Sequence, residues 1–303
     1  MDGVLVVDKP AGPTSHDVVD RVRRALDVHR AGHTGTLDPL ATGVLPVCLG
    51  RATRLARFLA GGEKTYRAWV RLGFATTTDD SAGEPVSAPR PVRLEPEALR
   101  VALARLVGTF DQVPPAFSAR RVGGRRLYEL ARRGTTVPRA ATVVTVHELL
   151  LLAADGERLE LEVRCSPGTY VRALARDLGE SLGCGAHLEG LRRTRSGAFH
   201  LGQAVPGEGL SAEDRAHVLP LSALLTELPA VRVSEEGRRL VRHGRDVGRV
   251  ATVGGFPEGG GDRVRILDES GELLALAVPR GPSSLPSGPG GEPTLHPDLV
   301  LVE

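Results

Sequence analysis

The chain has 303 residues, of which 41% are hydrophobic and only 3% aromatic, and its formal net charge at pH 7 is +2. This length suits two domains, and the aliphatic composition predicts a core of Leu, Val and Ala side chains. No run approaches about 18 apolar residues, so we expect no membrane-spanning helix. The first residues, MDGVLVVDKP, lack the basic start and long apolar run of a signal peptide, which makes a cytoplasmic location the expectation.

Hydrophobic periodicity in the first third of the chain predicts a helix, a loop and a second helix. The stretch TSHDVVDRVRRALD, residues 14–27, has one apolar stripe and a capping box formed by Thr14 and Asp17. In HTGTLDPLATG, residues 33–43, Gly and Pro interrupt every regular period, which predicts a loop. A short strand, VLPVCL, is expected next, followed by a helix over residues 51–60.

Further along the chain, alternating and helical patterns follow one another. KTYRAWVRL, residues 64–72, alternates like a strand and places Tyr66 on the apolar face. Residues 95–107 predict an amphipathic helix, LELEVRC at 159–165 predicts a second alternating strand, and TYVRALARDLGESLG predicts another helix. Beyond Leu228 the pattern changes to short strands and turns, with a hairpin at DESG and a flexible loop over residues 279–294.

Arginine side chains are clustered in the first 228 residues. Of the chain's 39 basic and 37 acidic side chains, residues 229–303 carry 9 and 11, a net charge of −2. Residues 1–228 carry the other 30 basic and 26 acidic side chains, a net charge of +4. Six Arg lie in SARRVGGRRLYELARR, residues 118–133, and LRRTRSG contains Arg192 and Arg193. Such clusters suit phosphate groups, yet they also occur on solvated surfaces. The residues alone leave both interpretations open.

The motifs of common cofactor and metal sites are missing from the sequence. Three cysteines form no C-x-x-C pair, and Gly32 argues against a helix that would bring His29 and His33 together as metal ligands. No G-x-G-x-x-G or G-x-x-x-x-G-K-[ST] motif is present. We therefore predict no metal and no cofactor.

Asp38 is the acidic residue of the polar loop, and two interpretations of it remain open. An Asp before Pro commonly forms a turn, but a lone carboxylate can also act as nucleophile or base. Arg172 is predicted in the first turn of its helix, where the helix dipole disfavours a cation, so a facing anion such as Asp38 would explain it. Asp79 and Asp80 could supply a second acid, although DDSAGEP is typical of a turn.

The stretch RAGHTGTLDPLATGVLPVCLG resembles the catalytic motif of the TruB family of tRNA pseudouridine synthases. GVLVVDKPAGPTSHDVV resembles the family's N-terminal KP motif, and EKTYRAWVRLG resembles its tyrosine-bearing strand. SARRVGGRRLYELAR and CSPGTYVRALARDLGESLGCGAHLEGLRRTRSG are similar to its later motifs, so the resemblance spans roughly residues 3–200 in family order. LPAVRVSEEGRRLVRHGRDV and the strands after it are similar to a PUA-type RNA-binding domain.

The resemblance implies an α+β fold with a mixed, largely antiparallel central sheet flanked by helices. It implies a catalytic domain over residues 1–228, in which an insertion at about 113–142 grips RNA, and a small, mainly β, PUA-like domain over residues 229–303. The implied reaction is isomerisation of uridine at position 55, in the T loop of tRNA, to pseudouridine by base flipping without a cofactor. The implied partner is the tRNA T stem-loop, and we expect a monomer without membrane association.

The resemblance also implies a role for individual residues. Asp38 matches the nucleophile, Tyr66 the ring that stacks on the flipped uracil, and Arg172 the arginine that pairs with the aspartate. Tyr170 and Leu191 match the uridine pocket, His33 matches an RNA contact, and Lys9 and Pro10 match a structural motif near the active site. RNA-binding arginines are expected at Arg120, Arg121, Arg125, Arg126, Arg192 and Arg193.

The acidic stretch after the tyrosine strand departs from the family pattern. Asp80 holds a shared position, but Thr77 and Ala82 stand where the family pattern has Asp. Two alternatives to the implied function stay open at this point. One is a non-catalytic RNA-binding or tRNA-folding protein, and the other is a pseudouridine synthase that acts on a different RNA.

Overall fold

A ten-stranded mixed sheet forms the centre of the computed structural model. The structure describes residues 1–86, 88–118, 138–257, 263–281 and 293–302, and the backbone of 121–122 and 125–126. The strands of the sheet are β1 (Gly3–Lys9), β2 (Ala31–His33), β3 (Thr42–Leu49), β4 (Lys64–Leu72), β5 (Gly108–Gln112), β8 (Thr142–Asp155), β9 (Arg158–Cys165), β10 (Ala186–Ser196), β11 (Phe199–His200) and β12 (Val205–Pro206). Two short strands, β6 (Arg121–Val122) and β7 (Arg125–Arg126), pair with each other.

The strand order confirms the predicted α+β class with a largely antiparallel sheet. The main path runs β12-β1-β3-β10-β4-β9-β8-β5, with β2 beside β3 and β11 beside β10. Only the β1–β12 and β3–β10 pairs are parallel within this path. The α-helices in the described residues are α1 (Ser15–Ala25), the single turn α2 (Ala56–Leu59), α3 (Pro96–Ala104), α4 (Val171–Ser181) and α5 (Glu235–Arg242).

Helix α1 begins where the sequence predicts, because its capping box forms in both directions. The Asp17 backbone N–H donates to Thr14 Oγ1 at 3.1 Å, and the Thr14 backbone N–H donates to Asp17 Oδ2 at 2.8 Å. These two bonds satisfy backbone donors that the helix itself leaves unpaired. Val18, Val19 and Val22 form the buried stripe, which packs the helix against the sheet.

Strand β4 confirms the predicted alternation and lies between β10 and β9. Its inward side chains, Tyr66, Ala68, Val70 and Leu72, are all buried, as their period of two requires. Trp69, on the opposite face, is partly exposed. The register places Tyr66 beside Arg193 of β10 and Val163 of β9, so the ring belongs to the middle of the sheet.

The polar loop is shorter than predicted, because strands occupy both of its ends. Ala31–His33 form β2, and β3 begins at Thr42 instead of after Gly43. Gly43 fits inside β3 at φ +101°, where a Cβ would lie 2.2 Å from the Arg193 carbonyl oxygen. The helix predicted over residues 51–60 is instead a 3₁₀ helix, Gly50–Leu55, that continues into α2.

A separate six-stranded sheet confirms the prediction of a mainly β, PUA-like C-terminal domain. Its order is β14-β18-β17-β16-β13-β15. The strands are β13 (Ala230–Val233), β14 (Val247–Gly248), β15 (Thr252–Gly254), β16 (Val264–Leu267), β17 (Leu273–Arg280) and β18 (Thr294–Val300), with α5 against them. The predicted DESG hairpin joins β16 to β17. The prediction of a loop over residues 279–294 was wrong at both ends, because β17 continues to Arg280 and β18 begins at Thr294. Residues 282–292 lie outside the described residues.

The two sheets share one apolar cluster. Leu273, Leu276 and Leu301 pack into the same core as Val4 and Cys48 of the central sheet. None of the helices in the described part of the chain is long and apolar enough to cross a membrane.

Candidate active site

A cleft of about 350 Å³ lies where the polar loop meets the start of α4. Most of the sequence-predicted pocket residues meet here, although they are far apart in the chain. The residues that line this cleft are 34–38, Ala60, Lys64, Tyr66, Ser118, 167–172, Leu191 and Arg193.

Asp38 and Arg172 form an ion pair in the wall of the cleft. Arg172 Nε lies 2.9 Å from Asp38 Oδ2; the Arg172 side chain is 5% exposed and that of Asp38 is 37% exposed. The arginine is therefore fixed inside the protein, while the carboxylate keeps an open side toward the cleft. A facing anion was the predicted explanation for a cation in the first turn of α4. At this distance the two opposite charges form a close ion pair.

The other nitrogens of Arg172 are held by groups that fix its orientation. Nη1 donates to the Thr78 carbonyl at 3.1 Å and to Asp80 Oδ2 at 3.2 Å, and Nη2 donates to the Phe117 carbonyl at 3.0 Å. Asp80 is itself buried and accepts from Thr78 Oγ1 at 2.6 Å. Asp80 is thus the buried counter-ion that holds Arg172, a role that the sequence alone did not reveal.

The turn that carries Asp80 closes without the acids expected at Thr77 and Ala82. The Ala82 backbone N–H donates to Asp80 Oδ1 at 3.1 Å, and Thr77 Oγ1 accepts from the Glu84 backbone N–H at 3.1 Å. DDSAGEP is therefore a turn, as its composition indicates, and the same turn delivers Asp80 to Arg172.

The protonation of Asp38 is set by opposing influences. Burial raises the pKa of the Asp38 carboxyl, and the nearby Asp80 carboxylate raises it further. Arg172 is the strongest influence that lowers this pKa, and Lys9 also lowers it. Arg172 thus favours the ionised carboxylate in a site whose burial works against it.

Lys9 braces the loop behind Asp38. Its fully buried ammonium group donates to the carbonyls of Pro10 at 2.9 Å, Pro39 at 3.3 Å and Ala41 at 2.7 Å. Burial lowers the Lys9 pKa to about 8, against the opposing effect of the Asp38 carboxylate. Pro39 and Ala41 flank the turn that follows Asp38, so Lys9 and Pro10 lie beneath the carboxylate and outside the lining of the cleft.

Ser15, at the start of α1, fixes the other side of Asp38. Its Oγ donates to the Leu37 carbonyl at 2.9 Å and accepts from the Leu37 backbone N–H at 2.8 Å. Both backbone groups of the residue before Asp38 are therefore satisfied by one buried side chain. Together with Lys9, this contact fixes the position of the carboxylate.

Arg193 lines the cleft from its buried side and does not offer its charge at the outer surface, so its predicted RNA binding stays a prediction. It is 1% exposed, and its Nε donates to the Val44 carbonyl at 2.7 Å. Its Nη2 donates to the Gly35 carbonyl at 3.0 Å, and Nη1 lies 3.4 Å from the Thr36 carbonyl oxygen. Burial raises the pKa of the Tyr66 hydroxyl, and Arg193 opposes that rise. Arg193 therefore anchors the polar loop to the sheet.

Arg192 points away from Arg193, as neighbours in a strand do. Its Nη1 and Nη2 contact the two oxygens of the Asp8 carboxylate at 3.1 and 2.6 Å, so an internal anion already pairs with its charge. Arg120 lies outside the described residues. Arg121, Arg125 and Arg126 belong to β6 and β7, whose side chains also lie outside that part.

The remaining predicted residues divide between the cleft and its surroundings. Tyr170 and Leu191 line the cleft, and Gln112 holds Tyr170 by accepting from its backbone N–H at 2.8 Å and donating to its carbonyl at 3.1 Å. His33 ends β2 outside the lining of the cleft, and burial lowers its pKa. The RNA contact implied for His33 stays a prediction.

Lys64 lines the cleft on the same face of β4 as Tyr66, and sequence reasoning missed it. Its ammonium group donates to the carbonyls of Ala60 and Gly62, and burial lowers its pKa to about 8. Its place in the alternation of KTYRAWVRL was the one signal that could have found it. Within the described ranges, no group of three or more His, Cys, Asp or Glu side chains is placed to hold a metal ion.

Comparisons with known proteins identify the family of the chain. Residues 23–171 match the profile described as TruB family pseudouridylate synthase, N-terminal domain, and residues 172–226 match the tRNA pseudouridylate synthase B C-terminal domain. The chain belongs to the TruB family. This membership makes it a pseudouridine synthase, an isomerase, and not a protein that only binds RNA.

Curated relatives and solved structures match along most of the chain. It is 50% identical to tRNA pseudouridine synthase B of Solibacter usitatus, with 81% of this chain and 86% of that protein covered. It is 47% identical to tRNA pseudouridine synthase B of Ralstonia nicotianae, with 92% and 91% covered. Among solved structures, a chain of a Cbf5-Nop10-Gar1 complex matches with a TM-score of 0.72 and 27% identity, over 99% of this chain and 85% of that chain.

Proposed function

We propose that this TruB-family enzyme converts the uridine at position 55, in the T loop of tRNA, to pseudouridine, with Asp38 as the nucleophile. The single observation that carries the proposal is the Asp38–Arg172 pair at 2.9 Å in a cleft of about 350 Å³, next to the Tyr66 ring. The names of the relatives, tRNA pseudouridine synthase B, support the choice of tRNA as the substrate.

The reaction is an isomerisation, and its atoms balance without a cofactor. The bond from C1′ to N1 of the uracil breaks, the base turns, and C5 bonds to C1′. The proton on C5 is lost and N1 gains one, so no oxidant, reductant or energy source is consumed. Asp38 can attack C6 of the base, attack C1′ of the ribose, or act as a base at C2′. Each route starts from an ionised carboxylate, which Arg172 favours.

The base must leave the RNA stack before Asp38 can reach it. Extruding a base costs a few kcal/mol, which contacts in the protein must offset. Tyr66 supplies an aromatic face beside the carboxylate, and stacking on such a face is worth about 1–3 kcal/mol. The Arg-rich stretch at 118–133 is proposed to hold the stem-loop through its phosphates, as the net charge of the first 228 residues favours.

We propose that the enzyme acts as a monomer, with Asp38, Tyr66 and Arg172 meeting in one cleft, and that it works in the cytoplasm. Residues 229–303 are proposed to form an accessory RNA-binding domain, and residues 1–228 the catalytic domain. Both sheets contribute side chains to one apolar cluster. This common core suits two domains that bind one RNA in a fixed relative position.

The test is to incubate the purified enzyme, with EDTA present, with an unmodified tRNA transcript and to map pseudouridine at single-nucleotide resolution. The matched control is the same transcript with cytidine in place of the T-loop uridine. We expect one pseudouridine, at position 55, and none in the control. Pseudouridine at another site, or in another RNA in preference to tRNA, would overturn the assignment of the target.

A further inference from the structure

Two hydroxyl groups in the wall of the cleft have no hydrogen-bond partner among the described residues. Thr34 is 5% exposed and Ser118 is 4% exposed, and the Oγ atoms of both are sealed from solvent. Two other polar side chains that line the cleft have partners: Thr169 Oγ1 donates to the Ser166 carbonyl at 2.9 Å, and Lys64 donates to two carbonyls. Among the fully buried side-chain atoms of the residues that line the cleft, these two hydroxyls are the ones that lack a partner in the described part of the chain.

An unpaired buried hydroxyl is expensive for a folded protein. Each one costs about 1–3 kcal/mol, because its bonds to water are lost on folding and nothing replaces them. Buried polar groups in folded proteins therefore have partners in the large majority of cases. Two exceptions that line the same cleft, from distant parts of the chain, are explained if a bound molecule supplies the missing partners.

Both hydroxyls belong to segments that are fixed to the catalytic pair. The Thr34 backbone N–H donates to the Pro46 carbonyl at 3.1 Å, which holds Thr34 at the start of the loop that carries Asp38. Ser118 follows Phe117, whose carbonyl accepts from Arg172 Nη2 at 3.0 Å. A molecule that contacts both hydroxyls therefore lies between the two walls that meet at the Asp38–Arg172 pair.

We propose that the hydroxyls of Thr34 and Ser118 bind the polar edge of the flipped uracil, an inference that rests on the proposed function. Uracil offers two carbonyl oxygens as acceptors and N3–H as a donor, and a hydroxyl can match either kind of group. Rotation about χ1 carries each hydroxyl between staggered positions, so an oxygen now sealed in the wall can turn to meet the base. The hydroxyls are specificity residues for the base.

The base, and not the ribose or phosphate, is the part of the nucleotide that reaches these groups. A flipped nucleotide enters base first, so its phosphates stay at the mouth and the buried wall meets the ring. The apolar side chains of Leu37, Val171 and Leu191 line the same space and suit the faces of a pyrimidine. In so dry an environment a hydrogen bond to the base competes with little water.

The first experiment compares Thr34→Val and Ser118→Ala with Ser196→Ala as the matched control. Ser196 is a third buried residue whose hydroxyl lacks a partner among the described residues, but it does not line the cleft. In all three variants we expect an unchanged or higher melting temperature, because an unpaired hydroxyl is removed. We expect the single-turnover rate on tRNA at sub-saturating enzyme to fall roughly tenfold for Thr34→Val and Ser118→Ala, and to stay at the wild-type value for Ser196→Ala.

The outcomes separate this inference from the proposed function. If the wild-type enzyme forms no pseudouridine in tRNA, the proposed function fails first. If the wild-type enzyme is active and the Thr34→Val and Ser118→Ala variants keep its rate, only the inference is overturned. A lower melting temperature in both cleft variants would show that their hydroxyls have structural partners, and would also overturn it.

The second experiment identifies the part of the nucleotide that the hydroxyls bind. In an Asp38→Asn background, which removes turnover, the dissociation constant is measured for tRNA transcripts with a substituted target nucleotide. We expect the affinity lost through Thr34→Val or Ser118→Ala to shrink when the target is 2-thiouridine, 4-thiouridine or 3-methyluridine, and to persist with 2′-deoxyuridine. A loss that shrinks only with 2′-deoxyuridine would assign the hydroxyls to the ribose and overturn the proposal.

Discussion

Replacing Arg172 by Met removes the group that favours ionisation of Asp38. Burial already raises the pKa of the Asp38 carboxyl, and Arg172 is the strongest influence that lowers it. A guanidinium beside an Asp carboxyl lowers its pKa by about 1–3 units, and the partial exposure of the Asp38 side chain favours the lower part of this range. We therefore expect the acidic limb of the rate–pH profile to move upward by roughly one to two units.

The single replacement would also leave Asp80 as an unpaired buried charge. Breaking a buried ion pair in this way destabilises a protein by about 3–5 kcal/mol, which could unfold the variant. The informative protein is therefore the double variant Arg172→Met with Asp80→Asn, and its reference is Asp80→Asn alone. Asp80 raises the Asp38 pKa, so both proteins lack that influence and differ only in Arg172.

The assay is the single-turnover rate on a saturating tRNA complex, measured from about pH 6 to about pH 9 for both proteins. The double variant should be slower at the acidic end, by at most the roughly 10-fold to 100-fold that a shift of one to two units allows, and the ratio should approach one as the pH rises. Lys9 and Lys64, whose pKa values are lowered to about 8, are present in both proteins, so their titration cancels in the ratio. A ratio that is constant across the pH range would refute the claim that Arg172 acts through the ionisation of Asp38.

Three further changes test the structure around the cleft. Gly43→Ala places a Cβ 2.2 Å from the Arg193 carbonyl oxygen, so we expect a large loss of melting temperature; a wild-type value would contradict this close approach. Burial lowers the Lys9 pKa to about 8, so the unfolded chain binds more protons above that pH. Between about pH 8 and 10.5, the ordinary pKa of a lysine, the unfolding free energy of the wild type should therefore rise by about 3 kcal/mol relative to that of Lys9→Met. Denaturant titration of both proteins measures this difference in unfolding free energy, and a difference that does not change with pH would contradict the lowered Lys9 pKa. Arg51 contacts Asp2 at 2.9 Å and the Leu301 carbonyl at 3.0 Å, so Arg51→Ala should separate or broaden the calorimetric unfolding transition, and an unchanged single peak would argue against this link between the sheets.

Local sequence patterns predicted those elements that are stabilised by contacts between near neighbours in the sequence or by burial of a single face. The capping box of Thr14 and Asp17 and the alternation around Tyr66 needed no knowledge of distant residues, and both were confirmed. The ends of the polar loop were misplaced because pairing with β1 and β10 extends β3 to Thr42. Gly is normally unfavourable in a strand, and Gly43 is favoured only because the Arg193 backbone lies so close to it.

The organisation of the site around Arg172 required the three-dimensional structure. Asp80 is 92 residues from Arg172 in the sequence, and its turn composition gave no sign of the ion pair. Arg193 was grouped with other arginines because they are adjacent in the sequence. In a strand, however, neighbouring side chains point to opposite faces, so Arg193 is buried while Arg192 pairs with Asp8.

The most direct test of the proposed mechanism is a comparison of wild type and Asp38→Asn on the same tRNA transcript, with turnover and the dissociation constant measured for each. Asp38→Ala is run in parallel, because deamidation of the Asn would regenerate the carboxylate. We expect pseudouridine at position 55 with the wild type only, and dissociation constants within about threefold of each other, because the carboxylate faces the base and not the phosphates. Pseudouridine formation by Asp38→Ala would contradict the assignment of Asp38 as the nucleophile.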